Sequence, residues 1–247
     1  MRPDFGPALL FRGMQATDWA WQARGRKRAV DTSEEAVKLF HERLALARVG
    51  LEQSIGLLPE DAMPWARLIP VYMGLGAPVE VLHRLWARIR ERDPWHPDAA
   101  PKMVTALAAK WRGSDEEMFE FVRKSADYAP DGSTVHECVP LAHNHVYLDR
   151  GTRDYFDEPG VKDEIFAAAA RSIDLRRGDR DPWLVQARAN FALVYWQAGA
   201  FDRLRDEMIE LDNTVCGLWL RFDTPAAYWR GARVDAGLDP DPRKQTG

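Results

Sequence analysis

Hydrophobic residues in this chain recur at intervals of three and four, and prolines and glycines cut the pattern into helix-length pieces. The clearest stretch is residues 65–130. It reads as two helical hairpins laid end to end, each closing on a proline, Pro94 and then Pro130. Those prolines stand 36 residues apart, the period of a helical repeat. In the first hairpin Trp65, Leu68, Ile69 and Tyr72 form one stripe, with Pro70 set to bend it. Gly74 and Gly76 end that helix. Pro78 opens the next, which carries Val81, Leu82, Leu85, Trp86 and Ile89. In the second hairpin Met103, Leu107 and Trp111 precede a break at Gly113. Ser114 with Glu117 then makes a capping box, and Met118, Phe119, Phe121 and Val122 supply the apolar side.

The flanking segments follow the same logic. Thr32-Ser33-Glu34-Glu35 caps a helix whose face is Val37, Phe40, Leu44, Ala47 and Leu51, ending near Gly56 and Pro59. Residues 135–148, with Pro140 near the start or kinking the helix, and 165–175 predict a third pair. Asp181 and Pro182 open a fourth, with Phe191, Val194 and Tyr195 on one helix and Leu204, Met208 and Leu211 on its return. A last helix over 224–235, with Trp219, Phe222, Tyr228 and Trp229, is placed to cover the end of the stack. Asp18 is read as the cap of a short helix bearing Trp19 and Trp21. The expected organisation is an atypical helical segment over 1–31, a repeat domain over 32–238 and a disordered tail over 239–247. Alternating strands are missing from the pattern, as is a glycine-rich loop between strand and helix, which argues against nucleotide-binding α/β folds.

Composition narrows the picture a little. The 247 residues carry a formal net charge of −4, so there is no basic footprint for nucleic acid. The RGRKR run at 24–28 is read as a solvated surface. Ten tryptophans suit helix crossings. Only Cys138 and Cys216 are present, too few to staple a secreted scaffold and wrongly spaced for zinc. The chain has no long apolar run at its N-terminus and no stretch of 18 uninterrupted apolar residues, so the expectation is a cytoplasmic protein with no membrane span.

The hairpins resemble degenerate tetratricopeptide repeats. Trp65, Leu68, Tyr72, Gly76, Val81, Leu85 and Pro94 fall close to that motif's places, as do Phe191, Ala192, Tyr195, Gly199, Phe201, Met208 and Leu211. Val81 and Leu204 exceed the usual small residue, and Ala109 stands where tyrosine is expected. The stretch Lys110, Trp111, Gly113, Ser114, Glu116, Glu117 and Met118 is also similar to an actinobacterial group of unknown function. The resemblance implies an all-α fold: a right-handed superhelix of tetratricopeptide-like hairpins with atypical terminal helices.

Two functional readings stand side by side. The first is a non-catalytic scaffold without a cofactor or metal, binding a protein or peptide, or a second copy of itself. The repeat frame places Met73, Met103, Leu107, Lys110, His145, Leu193 and Trp196 on a largely apolar concave face. The second is a small-molecule-binding protein or enzyme with a polar pocket in the third hairpin, built from His136, Glu137, His143 and His145. His136 and His143, seven apart, share a helix face, and His143 and Tyr147, four apart, can meet. His143 and His145 diverge, so they cannot share one metal on an unbroken helix.

Overall fold

The computed structural model describes residues 5–25 and 32–241. Among these residues every regular element is helical, and the helices are paired in a manner consistent with a helical-repeat fold. The chain divides into two compact units between Ser114 and Asp115.

The first unit holds α1 (Gly6–Arg24), α2 (Glu34–Leu57), α3 (Met63–Gly74), α4 (Val79–Arg90) and α5 (Ala99–Leu107). Ser33 caps α2 through a 3.3 Å bond from the Ala36 amide, with Glu34 and Glu35 in the positive first turn. The helix α1 is longer than the short one predicted: it starts at Gly6, and Asp18 lies exposed in its interior and does not cap it. Small residues explain its reach. Gly6, Gly13, Thr17 and Ala20 form the buried stripe of α1. A side chain on Gly13 would stand 2.6 Å from Leu51 Cγ, so α1 lies against α2 at a distance only glycine permits. Trp21 packs edge-on to Phe40 with ring centroids 4.8 Å apart, tying α1 to α2.

The helix α5 ends at Leu107, earlier than the pattern predicts, and Trp111 belongs to a separate 3₁₀ turn, Ala109–Trp111. The chain folds back here. Arg112 adopts a left-handed φ of 78°, and its Nη1 donates to the Gly76 carbonyl at 2.7 Å. A Cβ on Gly113 would come 1.8 Å from the Leu107 carbonyl oxygen.

The second unit holds α6 (Asp115–Tyr128), α7 (Cys138–Arg150), α8 (Val161–Ala170), α9 (Pro182–Gln197), α10 (Phe201–Leu211) and α11 (Pro225–Asp235). Pro140 sits in the first turn of α7, where its missing N–H leaves no bond unmade. Asp181 caps α9 by accepting from the Trp183 amide at 2.9 Å. The helix α9 is central: it packs on α7, α10 and the 3₁₀ turn Gly217–Arg221. It therefore buries residues all round, including Arg188 and Asn190. The Arg188 guanidinium donates to Glu207 on α10 at 2.6 Å and to two backbone carbonyls, those of Ile173 and Arg176. At the end of α10, buried Arg233 donates to the carbonyls of Met208 and Asp239. The C-terminal aromatics form a cluster: Trp219 is fully buried, and Phe222 stacks on Tyr228 with centroids 4.0 Å apart. Of the tail, residues 239–241 are described and 242–247 lie outside the described residues. So do Arg26, Lys27 and Arg28 of the basic run.

Candidate functional site

The candidate histidines do not converge. His136 lies in a 3₁₀ turn, Thr134–Glu137, fully buried, with Nε2 3.3 Å from the Pro130 carbonyl. Burial lowers its pKa from the usual imidazole value. The Glu137 carboxylate accepts from Asn190 Nδ2 at 2.6 Å, and Asn190 Oδ1 accepts from the Leu218 amide at 2.8 Å. Glu137 is thus a tie between α7, α9 and the turn after α10. His145 is half-buried on a different face. Tyr147 packs on Phe156 at 5.2 Å and makes no pair with His143. Among the described residues no group of three or more His, Cys, Asp or Glu side chains is arranged to hold a metal ion. The Cys138 thiol is buried, which raises its pKa far above the ordinary range and leaves it a small apolar residue.

His143 instead stands in a line of polar groups that the spacing along the chain did not reveal. Its Nδ1 is 2.6 Å from the Tyr155 hydroxyl, and its Nε2 is 3.2 Å from Glu164 Oε2. Arg123 grips the same carboxylate with two bonds, 2.9 and 3.2 Å. The hydrogen bond from His143, with that from Arg123, holds the Glu164 carboxyl down at about 2, against the opposing effect of burial. Glu164 is therefore ionised at neutral pH and can only accept. His143 then donates to it through Nε2, and Nδ1 shares a hydrogen bond with the Tyr155 hydroxyl. Burial raises the Tyr155 pKa, so the phenol keeps its proton. His143 and Tyr155 are 2% and 4% exposed, and the line reaches solvent only at its Glu164–Arg123 end. Such a chain can hold a proton in one place. Its histidine has no open side from which to meet a substrate.

Where the line surfaces, α6 carries an open groove of about 570 Å³. Phe119, Glu120, Arg123 and Lys124 line it, with Asp115 and Asp127 at the two ends of that stretch of α6. The Arg123 guanidinium lies 5.0 Å from the centre of the Phe119 ring, and Lys124 pairs with Glu120 at 2.5 Å. Burial, with Asp149 and Glu116 nearby, raises the Asp115 pKa above its ordinary value.

The residues expected to line a concave apolar face fare unevenly. Met103 and Leu107 are fully buried, and Leu193 is 3% exposed. These three are core residues and are corrected as such: apolar side chains on the inner face of paired helices pack against one another before any partner can reach them. Met73, His145 and Trp196 are half-buried and Lys110 is exposed. Trp196 donates to Asp235 at 2.7 Å and stacks on Trp219, so much of it belongs to the C-terminal aromatic cluster.

Comparison with protein families finds no matching family model, and comparison with curated proteins finds no match.

Proposed function

We propose that the protein is a non-catalytic scaffold of tetratricopeptide-like hairpins that binds a protein or peptide segment along α6. The observation that carries this reading is the open amphipathic groove over Asp115–Asp127. It offers Phe119 as an apolar seat. Asp115 and Asp127 are twelve residues apart in α6, a span of about 18 Å at 1.5 Å per residue. A segment with an apolar side chain between two cationic ones fits that layout. The buried state of His143 and Tyr155 weighs against the enzyme reading, because a reaction centre needs room for its substrate.

The test is selection of helical peptides from a randomised library on the intact protein, followed by anisotropy titration of the enriched peptide. Phe119→Asp is expected to weaken binding at least tenfold, and added salt to weaken it further. Enriched peptides whose affinity ignores Phe119→Asp would place binding elsewhere and overturn the proposal.

A further inference from the structure

The first unit carries a second surface, independent of α6. Helices α1 and α2 run antiparallel: Gly6 faces Leu57 and Leu58, and Gly13 faces Leu51 and Ala47. One side of this hairpin packs inward, where Trp21, Phe40 and Leu44 meet Gly74 of α3. The other side is open. Helical spacing puts Trp19 on that side of α1, with Phe5 at its N-cap, and Leu46, Val49 and Leu57 on that side of α2. These five are 51%, 58%, 56%, 48% and 46% exposed. On this face Leu9 and Arg12 of α1 and Gln53 and Leu57 of α2 line a shallow cavity of about 400 Å³.

We infer that this face joins two copies of the chain, hairpin against hairpin, as a four-helix layer. Three features select a second copy. A single foreign helix covers a strip one helix wide, whereas this face is two helices wide, and the two-helix layer that matches it is the α1–α2 hairpin itself. The face measures roughly 28 Å by 18 Å for a 19-residue helix beside its neighbour. That is roughly 500 Å² per partner, or about 1,000 Å² in total, the lower bound for a specific interface. Apolar side chains also stand at both ends of the face, Phe5 and Leu57 at one and Leu46 and Trp19 at the other, with the Arg43 guanidinium 3.6 Å over the Trp19 ring. A two-fold axis through the middle lays each end on the other end of the second copy, with Arg12 and Gln53 near the axis.

The experiment is sedimentation equilibrium of the full chain from micromolar to near-millimolar concentration. The wild type is expected to dimerise, and Leu46→Glu with Leu57→Glu to stay monomeric with an unchanged far-UV spectrum. Both side chains are exposed, so the charges do not enter the core. If that variant misfolds, cysteine cross-linking decides. Gln53→Cys should form a disulfide-linked dimer under mild oxidation, and Asp202→Cys, exposed in the second unit, should not. A wild type that is monomeric throughout, a dimer indifferent to the two glutamates, or equal cross-linking at both cysteines would each overturn the inference.

Discussion

Replacing Glu164 by glutamine should destabilise the second unit in a way that depends on pH. The carboxyl is lowered from 4.5 to about 2 by its bonds to His143 and Arg123, which sets an upper limit of ~3.4 kcal/mol at neutral pH. Glu164 is 27% exposed and Arg123 59%, so solvent screening brings the figure to on the order of 2 kcal/mol. Because the folded pKa is depressed, this stabilisation is complete above the unfolded value of 4.5. It is lost as pH falls from there towards 2. Glu164→Gln lacks the titrating group. The gap between wild type and variant should therefore be widest above about pH 5 and shrink by more than half by about pH 3. Urea unfolding at several pH values, with amide exchange in α7 and α8 to locate the loss, measures it. A gap that stays constant with pH, or none at pH 7, would refute the reasoning.

Three further outcomes follow from the packing. Gly113→Ala should cost about 3 kcal/mol or more, read as a lowered Tm, because the new Cβ falls within 1.8 Å of the Leu107 oxygen. Arg188→Met alone should cost about 3 kcal/mol, because buried Glu207 loses one of its two guanidinium partners and keeps Arg177 at 2.9 Å, and the Arg188→Met/Glu207→Leu pair should recover part of that loss in chemical unfolding. Under native conditions a thiol reagent should modify Cys216 faster than Cys138. Cys216 is half-buried, with its pKa pushed up to about 11, and Cys138 is fully buried.

Helix positions were largely legible from the chain because they depend on neighbours three and four residues away. Ser33, Asp181, Pro140 and Gly113 mark boundaries or turns by local chemistry alone. The helix α1 was under-read because its contact stripe is glycine, threonine and alanine, which give almost no hydropathy signal. The polar line was not legible. Tyr155, Glu164 and Arg123 lie 12, 21 and 20 residues from His143, and nothing in helical spacing pairs them. Asn190 and Arg188, polar residues inside the apolar stretch of α9, were the available hint that charged partners are buried there. The concave-face assignment failed at Met103, Leu107 and Leu193 because a repeat frame gives direction from the helix axis and not access to solvent.

The most direct measurement is native mass spectrometry of the freshly purified chain with the selected peptide, before and after denaturation. The account predicts one peptide bound per chain, loss of that complex in Phe119→Asp, and no stoichiometric small molecule released on denaturation. A retained small molecule whose binding is abolished by His143→Ala, with the peptide complex unchanged in Phe119→Asp, would contradict it.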